Sequence, residues 1–152
     1  MYDGENHPTQ GGLRIGKEMN EHSPNEPYNE SLEWDEQYYH YLTRWMQTLN
    51  NTSNITMDKK YVNRAMELAK TAHKKFTYLP NHGIRKRMYW KMSIDLNRAL
   101  VHSMGQHDPL DGYVTYCEIQ NEMNNLDLKD NIEKPLLYEK EDMKKIFPGM
   151  SR

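Results

Sequence analysis

The segment QHDPLDG, residues 106–112, carries an imidazole and two carboxylates around a proline and a glycine. Two carboxylates and an imidazole can supply a general acid, a general base and an orienting group for breaking a glycosidic bond. A sugar epimerase needs instead an acid/base pair, often histidines, on either side of a ring carbon. The candidate catalytic residues are therefore His107, Asp108 and Asp111. The same spacing also suits a turn in which Asp108 precedes proline and Asp111 caps the next helix, and this alternative stays open.

The segment and its neighbours contain only part of a metal-binding pattern. His102, His107 and Asp108 could each act as a ligand, but they complete no zinc or calcium spacing. The chain also contains no P-loop, dinucleotide-binding, metalloprotease, Cys-x-x-Cys or nucleophile-elbow motif. The sequence predicts neither a metal nor a cofactor.

Aromatic residues are concentrated in the segment LEWDEQYYHYLTRW, residues 32–45. They are too close together to share one face of a helix, so some must face a core while others face a groove or a partner. Aromatic rings bind the apolar faces of sugars and stack on bases. We predict Trp34, Tyr39 and His40 as ligand-binding residues, with a helix packed on both sides as the structural alternative.

A second aromatic group lies among cations in the segment RKRMYWK, residues 85–91. Such a cluster can bind a phosphate, a carboxylated sugar or single-stranded nucleic acid. A solvated helix face whose arginine stems cover apolar surface is the alternative. Arg87 and Trp90 join the predicted binding residues, and Asp95 is expected to pair with Arg98 or Lys91.

Charge is distributed unevenly along the chain. The formal net charge is -2, yet residues 58–98 hold 11 Lys/Arg against three acids. A basic middle between acidic flanks can mark a contact with an acidic partner or nucleic acid, although solvated helix faces explain it more often. A non-enzymatic helical interaction module with a basic face is therefore the second functional hypothesis, and we do not expect nucleic acid to be the partner.

Length and composition favour one domain. The chain has 152 residues, an apolar fraction of 36% and a mean hydropathy of -1.05, which is lean for a self-sufficient core. Cys117 is the single cysteine, and the chain shows neither a signal peptide nor an apolar run long enough to span a membrane. We expect a cytoplasmic protein without a membrane partner.

Hydrophobic periodicity predicts an all-α fold after an irregular arm at residues 1–30. A first helix is expected from a cap at Ser31 through the stripe Tyr38, Tyr41, Leu42, Trp45 and Leu49, ending in the polar run at 50–54. A second is expected from a cap at Asp58 to Phe76.

Further helices are predicted at residues 84–100, where apolar residues recur every four positions, and from Asp111 or Gly112 to about Met123. A short helix at 139–147 follows an acidic linker. The predicted domains are thus an arm at 1–30, a helical-hairpin domain at 31–125, and a linker with a short helix at 126–152.

Three stretches resemble a known group of proteins. DEQYYHYLTRWMQTLN and KKYVNRAMELAKTAHKKFTY are similar to the consecutive hairpin helices of (α/α)6 toroids. These include six-hairpin glycosidase-like enzymes such as N-acylglucosamine epimerase-like and unsaturated glucuronyl hydrolase-like proteins. RKRMYWKMSIDLNRALVHSMGQHDPLDGYVTY looks like a loop-and-helix segment of the same group. The second helix fits the common pattern of that group at Tyr61, Ala65, Leu68, Ala69, Ala72, His73 and Phe76.

The resemblance, which covers roughly residues 10–125, implies a ring of helices with a mouth lined by aromatic, histidine and acidic side chains. It implies a sugar or uronic acid as ligand, and hydrolase-like or epimerase-like chemistry if the chain is catalytic. Six hairpins complete such a ring, whereas this sequence supplies four or five helices. The resemblance therefore implies a partial toroid: a truncated chain that is inactive alone, one piece of a split protein completed by a partner chain, or a subunit that closes the ring by self-association.

Overall fold

The structure is a computed structural model that describes residues 3–27, 29, 32–101, 103, 105–126 and 136–147. About half of these residues are helical. The helices are α1 (Tyr39–Thr56), α2 (Lys59–Phe76), α3 (Asp108–Asn125) and α4 (Leu137–Ile146). The short strands are β1 (Gln37–Tyr38), β2 (Thr77–Tyr78), β3 (Arg87–Met88), β4 (Lys91–Met92) and β5 (Ala99–Val101). The fold is mainly helical, as predicted, but the small antiparallel sheets show that it is not purely all-α.

The helices share one core. α1 and α2 are joined by two residues and form a helical hairpin; α3 packs on both, and α4 packs on α3. Their fully buried side chains include Leu42, Met46, Leu68, Phe76, Tyr116, Ile119, Leu136 and Met143. Across the described ranges, none of the four helices is long and apolar enough to cross a membrane.

Helix α2 forms as the sequence predicts. Asp58 is its N-cap, and the Asp58 side chain accepts a hydrogen bond of 3.0 Å from the backbone N–H of Lys60. The apolar stripe from Ala65 to Phe76 is buried. Its alanines are small enough to allow close packing against the neighbouring helix α1.

Helix α1 has different bounds from the prediction. It begins at Tyr39, so a cap at Ser31 is wrong; Ser31 itself lies outside the described residues. It also continues through the polar run, where the hydroxyls of Thr48, Thr52 and Thr56 each donate to the carbonyl four residues earlier. The helix ends where Met57 adopts a left-handed conformation with φ of 57°.

The buried face of α1 was also predicted incorrectly. Tyr39, Leu42 and Met46 enter the core, whereas Tyr41 and Trp45 remain exposed. The predicted stripe placed Tyr41 and Trp45 inward because their large rings dominate any hydrophobic periodicity. The smaller set at i, i+3 and i+7 faces the other helices instead.

Residues 84–100 do not form the predicted helix. The segment folds into β3 and β4, and β5 follows its turn; β3 pairs with β2, and β4 lies between β1 and β5. The turn is stabilised by side-chain to backbone bonds, since Ser93 Oγ accepts from the N–H groups of Asn97 and Arg98 at 3.1 and 2.9 Å. Such bonds compete with a helix, and Leu96 has a positive φ of 58° that no helix contains.

Helices α3 and α4 occur near their predicted positions. α3 begins at Asp108, and His107 occupies the N-cap position. Asp111 therefore lies within the first turn, and the predicted capping role for Asp111 is wrong. α4 spans Leu137–Ile146, two residues earlier at its start than predicted. Most of the predicted linker, residues 127–135, lies outside the described residues.

The N-terminal arm packs along the segment that precedes α1. Backbone N–H groups of Ile15 and Met19 donate to the carbonyls of Glu36 and Glu33, at 3.3 Å in both cases. Met19 and Trp34 form an isolated parallel bridge. The arm is extended here and adds hydrogen bonds to the residues that lead into β1.

A fully buried ion pair joins Glu36, the residue before β1, to Lys91 on β4. The side chains of Glu36 and Lys91 are 0% and 1% exposed, and Lys91 Nζ contacts Glu36 Oε2. Lys91 therefore pairs with Glu36, and Arg98 pairs with Glu21, so the predicted partnership with Asp95 is wrong. Removing one member of such a pair leaves an uncompensated buried charge, which is costly.

Lys91→Met is expected to destabilise the protein by about 3–5 kcal/mol, because it leaves the Glu36 carboxylate buried without a cation. Adding Glu36→Gln should recover at least about 2 kcal/mol of this loss, because the remaining group is neutral. Urea unfolding measures both changes. Lys145→Met, at an exposed lysine of α4, is the control and should change stability by about 0.5 kcal/mol or less. Equal losses in the single and double variants would contradict this account.

Helices α1 and α3 approach closely at Gly112. The hydroxyls of Tyr39 and Tyr116, both buried, form a hydrogen bond of 2.9 Å. A Cβ atom at Gly112 would clash with the Tyr39 hydroxyl and crowd Met143 Cε at 3.0 Å. A glycine is thus needed at this helical position although it lowers helix propensity.

Gly112→Ala is expected to destabilise the protein by about 2–3 kcal/mol, although alanine favours a helix, because the added methyl displaces the Tyr39 hydroxyl. Asn121→Ala, at an exposed position of the same helix, should leave stability unchanged or slightly higher. Thermal unfolding followed by circular dichroism compares the two. A gain of stability in Gly112→Ala would show that the tyrosine pair does not need this close approach.

Candidate functional site

The first turns of α1 and α3 lie side by side and bring together most of the predicted site. Tyr39 and His40 open α1, and Asp108 and Asp111 open α3. Both carboxylates are near enough to raise the pKa of Tyr39, after the larger effects of its burial and of Tyr116. Asp111 also acts on His40, whose pKa it raises against stronger opposing effects.

An aromatic cluster continues this site across β1. Tyr38 is its centre: its ring centroid lies 5.4 Å from that of Trp90, 5.6 Å from His40 and 5.5 Å from Tyr41. The rings meet edge to face, which is a favourable geometry. Because Tyr41 is exposed and the others are half-buried, the cluster presents aromatic surface to solvent. We call Tyr38, His40, Tyr41 and Trp90 the aromatic platform.

The platform rests on the buried ion pair. Lys91 Nζ lies 5.1 Å from the centroid of the Tyr38 ring, within the range of a cation–π contact. The backbone N–H of Tyr39 donates to the carbonyl of Trp90 at 3.0 Å. The start of α1 and the β3–β4 segment are therefore held together both by a charge contact and by a backbone hydrogen bond.

Asp108 is the most perturbed acid of the site. It is only 7% exposed, and Gly105 packs so closely that a Cβ atom there would clash with the carboxylate. Its Oδ2 atom has no hydrogen-bond partner among the described residues. Burial, with Asp111 as the second cause, raises the pKa of Asp108 to about 6. A carboxyl group with this pKa can both donate and accept a proton near neutral pH.

The histidines of the site differ in environment. Burial and the neighbouring Arg44 lower the pKa of His40, so its imidazole is neutral at pH 7. His107 is exposed at the N-cap position, where its carbonyl accepts a hydrogen bond of 2.9 Å from the N–H of Asp111. Asp111 is exposed beside it.

Two of the predicted binding residues lie apart from the platform. The ring of Trp34 packs edge-on against His22, with centroids 5.4 Å apart, and its backbone bridges the N-terminal arm. Arg87 is exposed on β3, opposite Tyr78 in the register of the two-stranded sheet. Trp34 thus packs against the arm, whereas Arg87 is exposed on a different strand pair.

The prediction missed Tyr38 and Tyr41 as platform residues, because it placed both on the core face of a helix. The junction of β1 with α1 instead turns Tyr38, His40 and Tyr41 toward the same side. A signal was present in the sequence, since the four consecutive aromatic or imidazole side chains of residues 38–41 cannot all share one face of a helix.

The basic segment 58–98 does not form one continuous face. Lys91 is buried against Glu36, and Lys86 Nζ donates to Asp142 Oδ2 at 2.7 Å and to the Tyr138 hydroxyl at 2.8 Å. Asp142 also contacts His73 Nε2 at 3.0 Å. Several of the cations that motivated an interaction module therefore stabilise the fold.

Comparison with known proteins assigns no identity: the chain matches no protein family, no curated protein and no solved structure. Among the residues that the structure describes, no three His, Cys, Asp or Glu side chains are grouped so as to hold a metal ion. His102, one of the potential ligands, lies outside the described residues. The case for function therefore depends on the geometry of the site.

Asp108→Asn is expected to stabilise the protein by about 1–2 kcal/mol at pH 7, because the neutral amide avoids the cost of burying a charged carboxylate. Solvent screening near the exposed His107 keeps this gain small. The raised pKa means that the folded wild type is most stable with Asp108 protonated and loses stability as the pH rises from about 4 through about 6. The advantage of the variant should therefore vanish near pH 4. Denaturant unfolding at both pH values measures it, with Glu118→Gln on the same helix as a control. An equal advantage at the two pH values would contradict a protonation effect.

Proposed function

We propose that the protein binds a carbohydrate at the aromatic platform, and that the ligand is a neutral sugar. The observation that carries this proposal is the meeting of the platform with the carboxyl groups of Asp108 and Asp111 at adjacent helix starts. A sugar ring offers an apolar face to aromatic rings and hydroxyl groups to polar side chains, and this combination matches the two halves of the site.

Each half contributes a distinct interaction. Tyr41 and Tyr38 supply ring faces and edges for the C–H groups of a sugar. Asp111 is an exposed acceptor for sugar hydroxyls, and the neutral, half-buried imidazole of His40 carries an N–H donor on the platform. A carboxylate acceptor and neutral donors favour uncharged hydroxyl groups over the carboxylate of a uronic acid.

Asp108 is the residue that would carry acid/base chemistry at this site. Its raised pKa suits a proton donor to a glycosidic oxygen, with Asp111 as the second carboxylate of a hydrolase-like pair. An epimerase-like reaction would instead use the imidazoles of His40 and His107. The hydrolase-like arrangement is better supported, because Asp108 and Asp111 share one helical turn.

The proposal extends to the fold that the sequence resembles. Under this proposal, the hairpin of α1 and α2 corresponds to one hairpin of an α/α toroid. The platform then lies at the end of the hairpin that faces the mouth of the ring. This assignment explains why polar and aromatic side chains gather at one end of the helices, while the middle of α2 is apolar.

Titration with a panel of neutral monosaccharides and disaccharides, followed by protein NMR, tests the proposal. Wild type is expected to bind at least one member, and Tyr41→Ala to weaken that binding at least tenfold by removing a ring face. Trp45→Ala is the matched control, because Trp45 is an exposed aromatic residue one turn further along α1. It should change the affinity by less than about twofold.

Three outcomes would contradict the proposal. Failure of wild type to bind any sugar of the panel is the first, and a loss of binding in Trp45→Ala as large as that in Tyr41→Ala is the second. Glucuronate binding more tightly than every neutral sugar would contradict the choice of ligand.

Incubation of a bound disaccharide with wild type and Asp108→Asn then tests catalysis, since turnover should require Asp108.

A further inference from the structure

A second concave site lies between the N-terminal arm and helix α2. It is a groove of about 520 Å³ whose walls include residues from the arm, from the outer face of α2 and from the end of α3. The arm is held in place by Glu67: its Oε1 contacts His7 Nδ1 at 2.6 Å, and its Oε2 accepts from the backbone N–H of Thr9 at 3.2 Å. Thr71 Oγ1 also donates to the carbonyl of Gln10 at 3.1 Å.

Cations dominate the polar lining of this groove. Lys60, Arg64 and Lys70 line it over almost three turns of α2, and Lys60 and Lys70 are separated by about 15 Å along the helix axis. The acid among the lining residues is Glu67, whose carboxylate oxygens already engage His7, Thr9 and Arg64. Lys60 Nζ also lies 3.4 Å from Asp58 Oδ2, in a pair whose two side chains are both exposed to solvent. With Lys60, Arg64 and Lys70 set against Glu67 and Asp58, the groove keeps an excess of positive charge.

The groove also contains neutral donors and an apolar floor. Asn63 and Gln10 place side-chain amides in the lining. Met66 and Met123, which are 6% and 2% exposed, supply apolar surface. A bare inorganic ion would leave this floor unused, whereas an organic molecule with several anionic groups would contact both parts.

We propose that this groove binds a small organic polyanion, whose phosphate or carboxylate groups contact Lys60 and Arg64 and whose carbon skeleton lies over the two methionines. Arginine and lysine are the usual partners of both kinds of oxyanion. The groove is separate from the aromatic platform, since Met123 follows Asp108 by 15 residues, or about 22 Å of helix. The inference is therefore independent of the proposed carbohydrate site.

Isothermal titration of the full chain at low ionic strength tests the proposal, with citrate as the carboxylate probe and fructose 1,6-bisphosphate as the phosphate probe. Wild type is expected to bind at least one of them, and the tighter one identifies the preferred anionic group. Lys60→Gln combined with Arg64→Gln should weaken binding at least tenfold. Raising the salt concentration from about 20 to 150 mM should weaken wild-type binding several-fold.

Lys145→Gln is the matched control, because it removes one charge from an exposed lysine of α4 outside the groove lining. Its affinity should stay within about twofold of wild type. Should the double variant unfold, Lys60→Gln alone, at a side chain that is 63% exposed, must still weaken binding by at least threefold. Failure of wild type to bind either probe at millimolar concentration would overturn the proposal. An equal loss in Lys145→Gln would do the same, because it would reveal a non-specific charge effect.

Discussion

The buried Glu36–Lys91 pair is the interaction on which the functional geometry depends. Two charges withdrawn from water are tolerated only when they neutralise each other, so β4, which carries Lys91, must stay beside Glu36 and the strand β1 that follows it. The register of β1 and β4 sets Tyr38 opposite Lys91 and brings Trp90 against the Tyr38 ring. The aromatic platform is thus a consequence of a charge constraint beneath it, and its rigidity follows from the cost of separating the pair.

A second constraint acts between helices rather than strands. The contact of Gly112 with Tyr39 allows α3 to begin directly beside α1. Asp108 is buried there, and its Oδ2 has no hydrogen-bond partner among the described residues. Burial then raises the pKa of the Asp108 carboxyl group, whereas Asp111, three residues later, stays exposed. One close helix approach thus gives two neighbouring carboxyl groups different environments, a common requirement of acid/base sites.

The two proposed ligand sites use opposite electrostatics at opposite ends of α3. The platform combines aromatic rings with carboxyl groups, while the groove combines lysine and arginine with methionine. The excess of basic residues in the middle of the sequence divides accordingly: Lys91 and Lys86 are used by the fold, and Lys60, Arg64 and Lys70 line the groove. A single net charge for the chain conceals this division, because each site responds to the charges within about a Debye length.

The sequence by itself determined helix α2, since an Asp cap and an apolar period of 3.6 are local signals, and it identified Asp108, Tyr39, His40 and Trp90 as candidates from their chemistry. It could not determine residues 84–100, whose four-residue spacing resembles a helix while Ser93 and its neighbours favour a turn. Tertiary structure decided that conflict: a helix there would have left Glu36 buried without its cation. The pairing of residues 55 positions apart has no local signature, because it is a property of the folded core alone.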